Sequence, residues 1–138
     1  AVEPHMPKEK PRYLMGVGNP TTLVRGVGIG IDMFDCVQAT RIARHGAFWT
    51  RQGRKSIKQS QYLKDLSPLE EGCGGYACRH FSKAYIRHLF KANEMLAYRL
   101  ISIHNIHFLN NLMEELRQAI REDRYPAFRE EFFANYQL

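Results

Sequence analysis

An α/β fold is the class that the amino-acid sequence predicts, and two patterns support it. Residues 13–15 form a short apolar run that ends at Gly16, and residues 33–37 form a second one between Gly30 and a polar turn, which is typical of buried strands. Apolar side chains then recur every three or four residues through the last third of the chain, which is typical of packed helices. A strand, a glycine turn, a helix and a second strand, in this order, favour a right-handed βαβ unit with parallel strands.

Local signals place the elements of the first half. Asn19 is predicted to cap a helix and Pro20 to fill its first position, because an Asn side chain accepts backbone N–H bonds there and proline needs no N–H. This helix is expected to be short, since the glycines at alternate positions in residues 26–30 weaken it. Residues 47–49 and 56–57 flank Arg51-Gln52-Gly53, which indicates a β-hairpin.

The second half is predicted to be helical after a loop over residues 62–75. One helix is expected over residues 79–91, with one side formed by Phe81, Tyr85, His88 and Leu89. A long helix is expected over residues 93–122, and its predicted packing face consists of Ile106, Leu109, Met113, Leu116 and Ile120. A last helix after Pro126 carries Phe128, Phe132 and Tyr136 at four-residue steps.

Length, charge and cysteine count narrow the class of protein. A chain of 138 residues predicts one domain, and 44% hydrophobic with 25% charged residues suit a soluble globular protein. The net charge of +6 favours an anionic partner, nucleic acid first and a membrane surface second. No run reaches the length of a membrane span, and residues 1–12 lack the apolar core of a signal peptide. Three cysteines without a secretion signal predict reduced thiols, so we expect an excerpt of a cytoplasmic protein.

Asp35 is the first candidate for chemistry. It interrupts the apolar run 33–37, and an unpaired buried carboxylate is costly enough to need a partner or a task. At the carboxyl end of a parallel strand it would face the edge where α/β enzymes place their chemistry. The alternative is that Asp35 only caps a loop or pairs with Arg41. Asp32 is a rival, but side chains three apart on a strand point to opposite faces, so both cannot reach one substrate atom.

The segment 41–58 is basic and contains no acidic residue. Its cations are Arg41, Arg44, Arg51, Arg54, Lys55 and Lys58. Arginine binds phosphate well, and the aromatic pair Phe48 and Trp49 could stack on bases, so this segment favours a nucleic-acid contact. A solvated basic face is the alternative. The Gly16-x-Gly18 turn could also cradle a phosphate, although most such pairs are only turns.

Cys73 and Cys78, followed after 25 residues by His104, form a candidate metal set. Thiolate and imidazole suit zinc, and a loop with two helices could bring the three side chains together. The alternative is that the cysteines are simply buried, as free cysteines often are.

Several motifs in order resemble the tRNA-guanine transglycosylases, the enzymes of the queuosine pathway. The segment Gly-Ile-Asp-Met-Phe-Asp-Cys-Val at residues 30–37, followed by Thr-Arg-x-x-Arg at 40–44, resembles the nucleophile segment of that family. The resemblance runs from residues 13–18 to His104-Asn105 and beyond. Members of the family are more than twice as long, so it covers only their C-terminal part.

The resemblance implies a fold and a division of the chain. The fold would be α/β, the C-terminal part of a (β/α)8 TIM barrel with an inserted zinc-binding-type helical subdomain. Residues 1–60 would supply the last barrel strands, a helix and the basic hairpin with the nucleophile. Residues 61–138 would supply the zinc-type loop, the helical subdomain and the closing C-terminal helices. A homodimer joined near residues 79–91 is also implied.

The implied reaction exchanges guanine at the tRNA wobble position for a 7-deazaguanine such as preQ1. Asp35 would be the nucleophile that forms a covalent bond to the ribose, and Met15 and Gly16 would line the base pocket. Contacts to the anticodon loop would come from Gly16, Val17, Gly18, Asn19, Pro20, Thr21, Thr22, Thr40, Arg41, Ile42, Ala43 and Arg44. The general acid/base aspartate of the family lies in the N-terminal part. This chain alone is therefore expected to be inactive, and a non-catalytic RNA-binding or partner module is the alternative.

Two positions depart from the family pattern. The zinc motif of the family is Cys-x-Cys-x-x-Cys with a later His-Asn, and the resemblance assigns the ligands to Cys73, Cys78 and His104. The middle cysteine is replaced by Gly75 here, which cannot bind a metal, so water or His80 could complete the set, or no zinc is bound. Ala39 stands where the family has proline before Thr-Arg, which could loosen the turn that presents Arg41.

Overall fold

The computed structural model describes residues 5–137; the first four residues and Leu138, which belong to the two predicted segments 1–60 and 61–138, lie outside the described part. The elements in chain order are β1 (Tyr13–Leu14), α1 (Pro20–Gly28), β2 (Met33–Phe34), α2 (Gln38–Arg44), β3 (Ala47–Thr50), β4 (Gly53–Ser56), a 3₁₀ turn (Ser60–Lys64), α3 (Tyr76–His80), α4 (Lys83–Lys91), α5 (Met95–Arg121) and α6 (Tyr125–Asn135). The protein is α/β, as predicted, and within residues 5–137 no barrel closes because the parallel sheet has two strands.

The first unit is a βαβ arrangement. β1 pairs in parallel with β2, so that Tyr13 lies opposite Met33, and α1 connects the two strands. The predicted start of α1 is confirmed: Pro20 takes the first helical turn, and the Asn19 side chain accepts the backbone N–H of Thr22 at 2.9 Å. That bond satisfies one of the N–H groups that the start of any helix leaves unpaired.

The second strand is shorter than predicted. The apolar run 33–37 forms a strand only at Met33–Phe34, because the chain then turns into α2 and the carbonyl of Val37 accepts the N–H of Arg41. Met33 and Val37 are also exposed rather than buried. The run 33–37 therefore contains the end of β2 and the residue that precedes α2. Its apolar character alone did not show where the strand ends.

The predicted hairpin is confirmed. β3 and β4 are antiparallel, with Thr50 opposite Gly53 across the turn at Arg51-Gln52. Gly53 has φ +119°, a backbone conformation that an L-residue adopts only with strain, and the Thr50 hydroxyl donates to its carbonyl at 2.9 Å. Every residue of β3 is buried.

The helix predicted over residues 79–91 is wrong as a single element. It is two helices, α3 and α4, and the chain breaks between them because the Ser82 hydroxyl accepts the N–H of Tyr85 at 3.2 Å and so caps α4. The predicted face is only partly right. Ile86 and Leu89 are buried, whereas Tyr85 and His88 are exposed.

The packing face predicted for the long helix is rotated from the observed one. Ile106 is 45% and Ile120 is 54% exposed, and only Leu116 of the predicted stripe is fully buried. The buried face of α5 consists of Ala97, Leu100, Ile101, His104, Asn105, Phe108, Leu112, Leu116 and Ala119. Two polar residues lie at its centre, so a search for apolar spacing selected the neighbouring face.

Asn105 joins three elements through its side-chain amide. Its Oδ1 accepts the backbone N–H of Trp49 at 3.1 Å, and its Nδ2 donates to the carbonyls of Ala39 at 3.0 Å and Ala47 at 3.2 Å. α5 also separates two apolar cores. One lies under the hairpin, α3 and α4, and the other lies between α1, α2 and α6, where the predicted Phe132 and Tyr136 are buried. None of the helices in the described part of the chain is long and apolar enough to cross a membrane.

Replacing Asn105 with Ala should lower the free energy of unfolding by about 3 kcal/mol, because the buried Trp49 N–H and the buried Ala47 carbonyl lose their partner and each unpaired group costs about 1–3 kcal/mol. Urea denaturation of the 138-residue chain measures this. Asn110→Ala is the matched control, since Asn110 is exposed on the same helix and its loss should cost less than about 0.5 kcal/mol. Equal midpoints for the two variants would contradict the role given to Asn105.

Candidate active site and metal centre

Asp35 lies just beyond β2 and is exposed at the wall of an open cleft of about 470 Å³. Its Oδ1 accepts the hydroxyl of Tyr13 at 2.7 Å and the backbone N–H of Gly16 at 3.0 Å. Among residues 5–137, no donor hydrogen-bonds to Oδ2, and Arg41 makes no ion pair with this carboxylate. One oxygen is therefore held by oriented donors, and the other is available to the cleft.

The two donors also fix the charge of Asp35. The Tyr13 hydroxyl and then the Gly16 N–H hold the pKa of this carboxyl below its ordinary value of 3.8. The same hydrogen bond raises the pKa of Tyr13. Asp35 is consequently an anion at neutral pH, which is the form that can attack an electrophilic carbon.

Asp32 has a different task. Its Oδ2 accepts the backbone N–H of Arg12 at 2.7 Å, and the carbonyl of Arg12 accepts the N–H groups of Asp32 and Met33. Asp32 borders the same cleft, but its carboxylate closes the backbone pairing at the start of β1. It therefore supports the strand pair, whereas the two hydrogen bonds to Asp35 come from the turn after β1 and from the Tyr13 side chain.

The turn after β1 has to contain glycine. Gly16 has φ +71°, and a Cβ at Gly18 would lie 2.5 Å from the Cβ of Cys36. This close approach brings the turn against the segment that carries Asp35, so that the Gly16 N–H reaches the carboxylate. Met15, beside Gly16, is 74% exposed.

Cys73, Cys78 and His104 come together as the sequence predicted. Their ligand atoms all lie within 4.8 Å of one another, with His104 Nδ1 at 3.2 Å from the Cys78 sulfur and 3.9 Å from the Cys73 sulfur. Cys73 comes from the loop before α3, Cys78 from α3 and His104 from α5. These three residues could hold a metal ion, since two thiols and an imidazole converge on one point.

The orientation of His104 suits a ligand. Its Nε2 donates to the backbone carbonyl of Trp49 at 2.8 Å, which leaves Nδ1 as the unprotonated nitrogen facing the sulfurs. Burial lowers the pKa of His104 and raises the pKa of Cys78. The imidazole is thus neutral as a ligand must be, whereas the thiol has to lose its proton when a metal binds.

His80 does not join this group. Its ring lies 4.7 Å from that of Tyr76 at the surface, and it is exposed. Gly75 lies between the two cysteines and is buried.

Comparison with known sequences decides the family. A profile of the family described as queuine tRNA-ribosyltransferase matches residues 1–138. The chain belongs to this family. It is 60% identical over 131 residues to the queuine tRNA-ribosyltransferase of Dictyoglomus turgidum, covering 95% of this chain and 34% of that protein. The proteins of the same name from Pelotomaculum thermopropionicum and Staphylococcus aureus are 58% and 57% identical, over 97% and 99% of this chain and 36% of each relative. The chain spans about a third of the length of these curated relatives.

The RNA-contact residues expected of this family fall into three sets in the structure. Thr40, Arg41 and Arg44 lie on α2, and both arginines are exposed. Buried side chains form the second set, and they could meet RNA only through their backbone; these are Pro20, Thr21, Ile42 and Ala43. Gly16, Val17, Gly18, Asn19 and Thr22 lie around the turn and the start of α1.

The prediction that Phe48 and Trp49 stack on nucleic-acid bases is wrong. Phe48 and Trp49 are 0% and 3% exposed, so they belong to the core and cannot stack on bases. Arg51 is also occupied, because its guanidinium forms a two-pronged bond with Glu115 and its backbone N–H bonds to Glu70. The exposed cations that remain for the predicted contact are Arg41 and Arg44 on α2, and Arg54 and Lys58 further along the chain.

Sequence reasoning missed several residues at the site. The sequence predicts Tyr13 only as part of a strand, whereas its hydroxyl donates to Asp35 because the parallel register brings β1 beside β2. The far wall of the cleft comes from α5, through Leu109, Asn110, Met113 and Arg117. Leu109 and Met113, two members of the packing face predicted for α5, thus line the cleft.

Replacing Tyr13 with Phe should raise the pKa of Asp35 toward 3.8, because the larger of the two stabilising hydrogen bonds is lost. The two hydrogen bonds to Asp35 contribute to the free energy of unfolding fully above pH 3.8, the ordinary pKa of the group. This contribution is lost as the pH falls through the lowered pKa of the folded protein. Carboxyl-carbon NMR titration of the 138-residue chain reads the midpoint directly. Tyr85→Phe, at an exposed tyrosine that stacks on Phe81, should leave it unchanged. If the titration midpoint of Asp35 does not move in the Tyr13 variant, the Tyr13 hydroxyl does not stabilise its carboxylate.

Proposed function

We propose that this chain is the C-terminal, nucleophile-bearing part of a tRNA-guanine transglycosylase that exchanges guanine at the wobble position for a 7-deazaguanine. The observation that carries the proposal is Asp35, an exposed carboxylate at a strand end with one oxygen held by Tyr13 and Gly16 and the other open to a cleft. The relatives' name, queuine tRNA-ribosyltransferase, describes transfer at a ribose, for which such a carboxylate is suited.

The proposed first step is displacement at the ribose. Asp35 Oδ2 attacks C1′ and forms an ester-like C–O bond, while the bond from C1′ to guanine breaks and its electron pair leaves with the base. In the second step the ring nitrogen of the incoming 7-deazaguanine attacks C1′, the C–O bond breaks, and Asp35 is a carboxylate again. The positive charge of C1′ rises in both transition states, so an anion held close to it lowers both barriers.

The departing guanine needs a proton and the entering base must lose one. No described residue near Asp35 is a suitable acid/base, because Tyr13 has a raised pKa and Asp32 is bound to the Arg12 N–H. We assign that role to the part of the enzyme beyond these 138 residues. The remaining strands of the (β/α)8 barrel are likewise assigned to that part. Residues 1–60 would contribute β1 and β2 to the barrel, and residues 61–138 would form the helical subdomain.

The tRNA contacts are proposed for the rim of the cleft. Met15 and Gly16 lie beside Asp35 and would line the pocket for the flipped base. Thr40, Arg41 and Arg44 start only a few residues after Asp35, so their side chains would meet the phosphates next to the wobble nucleotide. Gly16–Thr22 would follow the RNA backbone on the other side of the nucleophile.

Zinc is the metal that we propose for Cys73, Cys78 and His104, because thiolate and imidazole form the donor set that zinc prefers. When bound, it would supply no step of the reaction but a cross-link between the loop, α3 and α5. The aromatic rings of Tyr76, Phe81 and Tyr85, of which the two tyrosines are exposed, form a nearby surface suited to a homodimer interface. A cytoplasmic location is proposed with the tRNA substrate.

A non-catalytic RNA-binding module is the second candidate. It is favoured by the two-stranded parallel sheet, which leaves Met15 and Met33 exposed, and by the exposed arginines of α2. Such a module would bind an anticodon stem-loop in a salt-dependent manner without incorporating a base.

Asp35→Asn should abolish the covalent RNA adduct and the incorporation of labelled guanine, because an amide cannot attack C1′. The assay uses a chimera in which this chain replaces the matching segment of the Staphylococcus aureus relative, so that all parts of the enzyme are present. Asp32→Asn is the matched control and should retain the adduct. Adduct formation by the Asp35 variant and its loss in the Asp32 variant would overturn the assignment. A chimera that binds the stem-loop but incorporates no label would favour the binding module.

A further inference from the structure

The space around Gly75 is already filled by another potential ligand. A Cβ at Gly75 would lie 2.7 Å from Cδ2 and 2.9 Å from Cγ of His107, and 3.3 Å from its Nε2. The imidazole of His107 therefore occupies the volume that a side chain at position 75 would take. Position 75 is the place at which the family pattern has its middle cysteine.

His107 lies beside His104 on α5 but outside the group of three ligand atoms that are all within 4.8 Å of one another, so its ring has to rotate to bind a metal held there. It follows His104 by three residues on α5, and side chains at this spacing are neighbours on one face of a helix, with Cβ atoms about 5–6 Å apart. Cys73 and Cys78 flank Gly75 in the chain, so a ring packed on Gly75 faces the segment between the two sulfurs. His107 is half-buried, and the bond that its Nε2 makes to Asn111 lies at the surface.

Asn111 hydrogen-bonds to the ring of His107. Its Nδ2 lies 2.9 Å from Nε2 of His107, and Asn111 and Cys73 both line a small cavity of about 70 Å³. Nε2 is thus an acceptor near position 75, and metal binding would exchange its bond to Asn111 for a bond to the ion.

We infer that His107 is the fourth ligand of the metal site, so that the set is Cys73, Cys78, His104 and His107. The inference rests on the zinc site proposed above and names its missing member. A structural zinc site needs four protein ligands, and a water in the fourth place would leave this buried centre open. Two thiolates and two neutral imidazoles around Zn²⁺ give no net charge, which suits the burial of Cys78 and His104.

The position of His107 also explains why glycine suits position 75. A cysteine at position 75 would place its Cβ within 3 Å of the His107 ring, so that side chain and the observed ring cannot occupy the site together. Each can supply the fourth ligand only if the other gives way. A cysteine at position 75 should therefore restore metal binding to a variant that lacks His107.

The experiment measures zinc affinity by competition with a chromophoric chelator, and ligand number by X-ray absorption of the zinc-loaded 138-residue chain. The expected absorption spectrum has two sulfur and two nitrogen neighbours. His107→Ala should weaken zinc binding about 100-fold or more, since loss even of a residue that only supports a ligand costs about 10–100-fold. Adding Gly75→Cys to this variant should restore the affinity, with three sulfurs and one nitrogen. His80→Ala is the matched histidine control and should change nothing.

The outcomes separate the inference from the function on which it rests. Wild-type affinity in the His107 variant, a fourth neighbour that is water oxygen, or a loss of affinity in the His80 variant would each overturn the ligand assignment alone. Absence of zinc from the wild type, or equal zinc content in Cys78→Ser and Cys36→Ser, would overturn the zinc site itself. Circular dichroism, together with the rescued double variant, distinguishes loss of a ligand from loss of the fold.

Discussion

The backbone of Trp49 is held from both sides by two consecutive side chains of α5. Asn105 Oδ1 accepts its N–H at 3.1 Å, and His104 Nε2 donates to its carbonyl at 2.8 Å. Trp49 lies opposite Arg54 in the hairpin, and these two groups point away from β4, so α5 takes the place of a further strand. Because the bonds are buried, leaving either group unpaired would cost more than the bond itself contributes.

This clamp joins the fold to both candidate sites. The bond that His104 makes to Trp49 fixes which ring nitrogen faces Cys73 and Cys78, so the docking of the hairpin orients the candidate metal ligand. Asn105 also binds the carbonyl of Ala39 in the first turn of α2. That turn begins just after Asp35, so the same side chain steadies the segment that carries the proposed nucleophile. Asn105 thus anchors the turn in which alanine stands where the family pattern has proline.

The sequence predicted those parts of the fold that depend on neighbouring residues. Asn19 with Pro20 gave the start of α1, and Arg51-Gln52-Gly53 gave the hairpin, because caps and turns are decided within a few residues. The buried face of α5 could not be predicted in this way, since its centre is His104 and Asn105, whose burial depends on distant backbone partners. The burial of Phe48 and Trp49 could not be predicted either, because it also depends on contacts with distant parts of the chain. At the site, the meeting of Cys73, Cys78 and His104 was predicted, whereas Tyr13 and His107 depend on parallel register and helix packing.

Hydrogen exchange at the Trp49 amide is the most direct test of this coupling between fold and metal centre. The account predicts that this amide belongs to the slowest-exchanging class and exchanges only through global unfolding, and that added zinc slows it further because the metal stabilises the same clamp. Exchange at the rate of an exposed amide, or a rate that zinc does not change while zinc is bound, would contradict it.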